Sequence, residues 1–409
     1  MESSAIQIQH ARILTPQGWI NNGSLFIKNG KIVGIDQGDE SGVKSSEQLT
    51  FGDERWTQVD AAGKMLLPGF VDVHVHGGGG FDVMKGSSEE LYGMCRFHAS
   101  RGTTSLLATT LTATHEEIIS ALEASAKVVQ DTDRQPDGAH LLGVHLEGPF
   151  LNPARSGAQN PDDLREPSIE EFESFWSASK GTIKLMAIAP ELNSAEEVIV
   201  HAVNKGVTIS LAHTDADYAT MKKAVEWGAT QVTHLFNGMR PLHHREPGVA
   251  GAGLMLDELA VELICDGHHV HPDLIKWVFK IKPEGKVIMI TDSMCAAGCP
   301  NGEYYLGKLP VLMHNGQVHL KLDDGSLGSL AGSSLTMIDA LSRTVAFTGK
   351  EIADIVPALT IHPATQIGVQ DRKGSIELGK DADLVLIDDD FQVHQTYVLG
   401  WQVYDAASH

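Results

Sequence analysis

Five residues of metal-binding type sit at the ends of apolar runs in this chain: His74, His76, Glu147, His213 and His234. His74 and His76 are two apart, a spacing that turns both side chains to the same side of a β-strand, so both imidazoles can face one cation. Taken singly each is ambiguous, because a lone histidine at a strand end is more often a hydrogen-bonded structural residue than a ligand. Five such groups at the same end of four different strands are hard to explain as packing. A buried carboxylate such as Glu147 also needs the partner that a cation supplies. Mixed nitrogen and oxygen ligands suit zinc, with iron or another divalent ion as the alternative, and the set could serve one ion or two. Asp292 closes a further apolar run. It could cap a helix before Ser293, but its place at the same end of its run suits a general base and acid that moves protons for a metal-activated water.

These residues need a frame that brings strand ends together. From Pro68 onward, apolar runs at 70–76, 104–109, 141–147, 183–189, 207–213, 230–236, 261–266 and 286–292 alternate with helical texture. Eight such units predict an α/β fold, a (β/α)8 TIM barrel whose strand C-termini converge on one mouth. Earlier, residues 6–14, 25–28, 31–35 and 57–60 read as short strands, with turn signals at Asn21-Asn22-Gly23 and Asn29-Gly30 and a polar loop over 38–55. Residues 303–330 interrupt the last barrel unit and read as a β-hairpin insertion, after which helical texture returns at 334–348 and 352–359. Strand texture reappears at 374–376 and 382–387, so the two chain ends are expected to share one small β-sandwich. The predicted organisation places 1–67 and 372–409 in the sandwich and 68–371 in the barrel.

Composition narrows the function classes. The chain has 409 residues, 42% of them hydrophobic and 21% charged, which fits one large globular α/β domain with a smaller partner. Against 53 Asp and Glu there are 31 Lys and Arg, a net charge of −22. So acidic a field argues against sequence-independent binding to nucleic acid or to an anionic membrane, and an anionic ligand would need a local cluster of donors. No run of ~18 apolar residues predicts a membrane span. The start, Met1 to Ile8, lacks the basic and apolar regions of a secretory leader. Four cysteines, Cys95, Cys265, Cys295 and Cys299, are too few for a disulfide framework and favour a reducing compartment, read as the cytoplasm. Cys295 and Cys299 could suggest a metal clip, but no other soft ligand stands near them, and Cys265 reads as a small buried hydrophobe.

The frame Leu66-Leu67-Pro68-Gly69-Phe70-Val71-Asp72-Val73-His74-Val75-His76-Gly77 resembles the amidohydrolase superfamily, as does Gly374-Ser375-Ile376-Glu377-Leu378-Gly379-Lys380-Asp381-Ala382-Asp383-Leu384. More specific are His145-Leu146-Glu147-Gly148-Pro149-Phe150, Thr233-His234-Leu235-Phe236-Asn237-Gly238-Met239, Arg245-Glu246-Pro247-Gly248, Asp266-Gly267-His268-His269-Val270 and Leu330-Ala331-Gly332-Ser333. Together they resemble the N-acetylglucosamine-6-phosphate deacetylases of that superfamily, over nearly the whole chain. The resemblance implies hydrolysis of the acetamide of N-acetylglucosamine 6-phosphate to glucosamine 6-phosphate and acetate. The galacto epimer is an alternative substrate, because the sequence does not show which group faces the differing hydroxyl. Another cyclic-amide hydrolase is a weaker alternative. Many of those carry a modified lysine at the end of the fourth strand, whereas Lys184 stands near the start of 183–189.

Residue by residue, the resemblance implies that Glu147, His213 and His234 hold one metal and His74 and His76 a second, while Asp292 shuttles the proton. It implies substrate contacts at Asn237, Gly238 and His269, with the stretch Leu330-Ala331-Gly332 beside them. It further implies a homodimer in which Arg245 reaches the sugar phosphate in the neighbouring subunit. One position departs. The family's Gly-x-His-Asn-Pro histidine, which helps polarise the acetyl carbonyl, is Gln159 here, able to donate a hydrogen bond but not to carry a charge.

Overall fold

Eight apolar segments pair in parallel and in chain order: β1 (Phe70–Val75), β2 (Thr103–Thr109), β3 (His140–Leu146), β4 (Ile183–Ile188), β5 (Thr208–Leu211), β6 (Gln231–Val232), β7 (Ala260–Ile264) and β8 (Val287–Ile290). The computed structural model describes residues 5–37, 44–45 and 56–408, and in it these strands are buried almost throughout. That is the burial expected when helices cover the outer face of a parallel sheet and side chains fill the inner one. β8 returns to β1 at the mouth, where Asp292 N donates to His74 O and His76 N to Ser293 O, each at 2.9 Å. The ring therefore closes as the predicted TIM barrel.

Eight helices cover it: α1 (Ser88–Ala99), α2 (His115–Gln130), α3 (Ile169–Ala178), α4 (Ala195–Asn204), α5 (Tyr218–Glu226), α6 (Gly248–Met255), α7 (Pro272–Ile281) and α8 (Met337–Thr348). Their starts are set locally. Ser87, Thr114, Ser168, Asp217 and Thr336 each accept the backbone N–H three residues on, and Thr114 with Glu117 forms a reciprocal capping box.

Between β8 and α8 stands an antiparallel meander of four strands, β9 (Gly302–Leu306), β10 (Leu309–His314), β11 (Gln317–Lys321) and β12 (Leu327–Leu330). The β-hairpin insertion expected from the sequence is thus a four-stranded meander, which reverses at Asn315-Gly316 and Asp324-Gly325. The unread break is the turn at Gly307, whose φ of +56 takes the left-handed region that glycine adopts without strain. Leu306, Val311, Met313 and Val318 pack with Leu111, Met294 and Ala331, which seats the meander against the barrel mouth.

The two chain ends do share one β-rich unit. Met65–Pro68 pairs antiparallel with Leu384–Ile387, joining N- and C-terminal strands in one nine-stranded sheet around a core that includes Ile8, Leu25, Ile27, Leu66, Leu384 and Tyr397. Asn21-Asn22-Gly23 is not the turn expected. It lies within the strand Gly18–Lys28, where Gly23 opposes Ala11 at a shift in register. Asn22 at φ +53 and His10 at φ +56 absorb the irregularity as a bulge, and the chain reverses between Thr15 and Gly18 instead. Residues 374–376 form no strand, although Ile376 is buried in this core. Of the loop expected over 38–55, Lys44–Ser45 pair with Lys31–Asp36 and Trp56 begins the next described stretch; the others lie outside the described residues. All four cysteines are free thiols, with Cys265 fully buried. Among the described residues no helix is long and apolar enough to cross a membrane.

Candidate active site

Alternation along β1 turns Asp72, His74 and His76 into the barrel. Asp72 Oδ2 accepts the Thr291 hydroxyl at 2.6 Å and Oδ1 the His74 backbone N–H at 3.3 Å, which ties β1 to β8 and sets the relative heights of His74 and Asp292. His213, His234 and Asp292 take φ values of +42, +27 and +49 where their strands end, a strained backbone at the points where side chains must turn into the mouth.

All five predicted ligands and Asp292 meet there in two groups. In one, His74 Nε2 and His76 Nε2 are 3.3 Å apart, and Asp292 Oδ1 lies 3.2 Å from His76 Nε2. In the other, His213 Nε2 and His234 Nε2 are 3.2 Å apart, and Glu147 Oε1 lies 3.4 and 3.5 Å from them. Glu147 spans both groups, with Oε2 at 3.3 Å from His76 Nε2.

The tautomers show what this arrangement can hold. His74 Nδ1 faces Glu262 Oε2 at 2.9 Å, His76 Nδ1 faces Thr109 O at 3.2 Å, and His213 Nδ1 faces Arg155 O at 2.8 Å. Each partner accepts only, so Nδ1 keeps its proton and Nε2 is the ring atom left to ligate a cation. Glu147 Oε1 is buried and has no hydrogen-bond partner among the described residues. A bare carboxylate oxygen facing bare imidazole nitrogens is stable only around a cation. The donor set therefore fits one or two divalent ions. Where a cation does not supply that positive charge, protons on the imidazoles do. Burial opposes charging of His76, yet Asp292 and Glu147 beside it raise its pKa to about 9. Burial would raise Asp292, but His74 and His76 hold its carboxyl at about 2.

Above the centre opens a cavity of about 270 Å³, lined in part by Gln159, Asn237, Gly238, His269, Leu330 and Gly332. A Cβ on Gly238 would lie 2.9 Å from His213 Nδ1, so this loop can approach the ligand only as glycine. His269 is held by Asp266, Nδ1 to Oδ2 at 2.6 Å; burial opposes its charging, but the Asp266 carboxylate raises its pKa on balance. Gln159 is engaged on both sides. Its Nε2 donates to Glu147 Oε2 at 2.9 Å and its Oε1 accepts Thr112 N–H at 2.8 Å. Two predicted contacts do not line the cavity. The Ala331 methyl is buried under the meander, and Arg245 is exposed, donating through Nη1 to His244 Nε2 at 2.7 Å. No lysine or arginine is among the described residues lining the cavity.

The sequence pattern of the Amidohydrolase family matches residues 65–403. The chain belongs to that family. It is 38% identical over 398 residues to the N-acetylglucosamine-6-phosphate deacetylase of Bacillus subtilis (strain 168), covering 97% of each chain. It is 36% identical over 389 residues to the N-acetylgalactosamine-6-phosphate deacetylase of Escherichia coli O157:H7, covering 95% of this chain and 97% of the other. A variant of the Mycobacterium smegmatis N-acetyl-D-glucosamine-6-phosphate deacetylase, solved with N-acetyl-D-glucosamine-6-phosphate, superposes with a TM-score of 0.87 at 30% identity, over 98% of this chain and 99% of that one. This amidohydrolase carries no lysine at the mouth end of β4: Lys184 is the second residue of the strand, which ends in Ile188.

Three buried polar residues of this amidohydrolase escaped the sequence reading of the site: Asp72, His145 and Glu262. Asp72 was signalled by its place two residues before His74. His145 stands two residues before Glu147, its ring 4.6 Å from that of His74. Glu262 was signalled by a carboxylate in the middle of an otherwise apolar strand, which demands a partner without naming it.

Proposed function

We propose that this amidohydrolase removes the acetyl group of N-acetylglucosamine 6-phosphate, giving glucosamine 6-phosphate and acetate. The observation that carries the reading is Glu147 set between two groups of imidazoles beneath a sugar-sized cavity, in a chain similar over its full length to deacetylases of this kind. Glu147, His213 and His234 would hold one ion, and His74 and His76 a second. A divalent ion, read as zinc with iron as the alternative, polarises an amide carbonyl and lets a water ionise near neutral pH. Asp292 stays ionised among the imidazoles and stands at the centre to take the proton of the attacking water. The C–O bond forms as water attacks; the same carboxyl then returns that proton to the leaving nitrogen, the C–N bond breaks, the sugar departs as a neutral amine and the acetic acid left behind ionises to acetate. Asn237 and His269 are positioned to offer donors to the sugar. No lysine or arginine is among the described residues of the lining to meet the phosphate, and we assign that role to Arg245 of a second subunit in a homodimer. The free thiols suit a cytoplasmic setting.

The test is a deacetylation assay with both 6-phosphate epimers and their unphosphorylated sugars, before and after metal removal. The gluco 6-phosphate should give the highest kcat/KM, and activity should vanish on chelation and return with the ion. Asp292→Asn should lower kcat by about 10²–10⁴-fold with little change in KM. Full activity without metal, or preference for the galacto epimer, would overturn the reading.

A further inference from the structure

Glu262 lies in the middle of β7, fully buried and outside the cavity lining. Three donors converge on it. Gln231 Nε2 donates to Oε1 at 2.5 Å, His74 Nδ1 to Oε2 at 2.9 Å, and the His234 backbone N–H to Oε2 at 3.3 Å. One carboxylate thus grips a ligand from each half of the metal centre, from a strand that only β8 separates from β1. It touches His74 through the side chain and His234 only through the backbone, so its electronic influence falls on one half alone.

We propose that Glu262 is a positioning residue that locks the His74 tautomer and so decides whether the His74–His76 half of the centre retains a cation. An acceptor at Nδ1 keeps the His74 proton there and leaves Nε2 bare. The negative charge also makes the ring a stronger ligand. Without the acceptor, the ring can carry its proton on Nε2, where it blocks a cation, or rotate out of register with His76. The half built from Glu147, His213 and His234 keeps Arg155 O on His213 and Gln159 on Glu147, and loses only the 3.3 Å backbone contact at His234. Loss of Glu262 should therefore remove cations unequally.

The proposal rests on the reading of this site as a metal centre, and the experiment separates the two. Metal-free wild-type protein is titrated with Zn²⁺, and equivalents and affinities are counted per chain. Wild type should take two equivalents. Glu262→Met, of similar bulk but with no acceptor, should keep one at wild-type affinity and weaken the other by about 10–100-fold. Glu262→Gln should fall between, because the Gln231 amide can turn and its carbonyl can take over one donor. In a His74→Ala background, Glu262→Met should change nothing further. A wild type that binds no ion would sink the metal reading. Two equivalents held equally well by wild type and Glu262→Met, or both weakened alike in step with a lower melting temperature, would overturn the role of Glu262. Should the variants fail to fold, selectively ¹⁵N-histidine-labelled, zinc-loaded wild type still decides: His74 should show a protected N–H at Nδ1, and a bare Nδ1 would overturn the proposal.

Discussion

At position 159 a glutamine stands between the Thr112 backbone and the Glu147 carboxylate, accepting at 2.8 Å and donating at 2.9 Å. The sequence suggests only a neutral hydrogen bond from this residue, of about 0.5–1.5 kcal/mol. Its actual partner is a carboxylate, and such bonds contribute about 1.5–3 kcal/mol. The amide also fixes which oxygen of Glu147 faces which half of the centre. Gln159→Ala should therefore lower kcat/KM by roughly ten- to a hundredfold while leaving metal content unchanged, because no ligand is removed. His74→Ala should cost more activity and one equivalent of metal. Steady-state kinetics and metal analysis on the two folded variants check this. Greater damage from Gln159→Ala, with His74→Ala nearly silent, would show that Gln159 carries the electrophilic role and that the β1 pair is vestigial.

Elements rather than single residues determine how the mouth is braced. α1 reaches the end of β1 through His98, whose Nε2–H donates to Gly77 O at 3.0 Å, one residue beyond His76. Burial pushes the His98 pKa down to about 4, and its Nδ1 has no partner among the described residues. The unfolded chain would protonate this ring below its ordinary value of about 6.5, while the folded chain resists until about 4. Between those values the unfolded state binds more protons, so stability is fully present above about 6.5, falls with pH down to about 4, and levels off below. His98→Gln can keep the donor to Gly77 without titrating. Denaturant unfolding from pH 7 to pH 4 should therefore show a shallower loss for the variant, by on the order of 3 kcal/mol at the acid end. Equal slopes would show that His98 is not held neutral.

The same scale explains what could be read from the sequence. The barrel strands stand out because a strand buried on both faces is an apolar run bounded by helix caps such as Thr114 and Ser168, and ligands at its mouth end break that run visibly. Glu262 breaks a run too, but its partner His74 is 188 positions away, and only closure of the ring, β8 onto β1, brings β7 within reach of β1. Asn21-Asn22-Gly23 misleads because the left-handed backbone that makes a hairpin turn also serves a bulge. Gln159 could be singled out as a departure, yet its bond to Glu147 depends on how the loop after β3 folds back over the mouth.

The whole molecule carries a net charge of −22, and its cavity is lined by no lysine or arginine among the described residues. A sugar phosphate therefore needs a cation from elsewhere. Arg245 is exposed on the loop before α6, three residues from the exposed Leu242. Leu242, 48% exposed, lies over Gly251 of α6, and Met255, Leu274 and Trp277 are 59%, 39% and 40% exposed. Lys282, just past α7, binds the Gly253 and Leu256 carbonyls at 2.9 and 3.0 Å, which sets the end of α7 against the end of α6. In the proposed homodimer a second copy would cover part of this exposed apolar surface, and its Arg245 would complete the first copy's phosphate site. Arg245→Ala should then raise KM for the 6-phosphate far more than for the plain sugar. The decisive test is complementation. Arg245→Ala chains keep their own Asp292 but lack the arginine they lend, and Asp292→Asn chains lend an intact Arg245 but cannot move the proton. Each homodimer should be nearly inactive on the phosphorylated sugar. Co-expressed in equal amounts, about half of the dimers are mixed, and each of those has one site with both its own Asp292 and the partner subunit's Arg245. Activity should recover to about one quarter of wild type. If Arg245 serves its own chain's site, no mixed site is complete and the mixture stays as inactive as its parents.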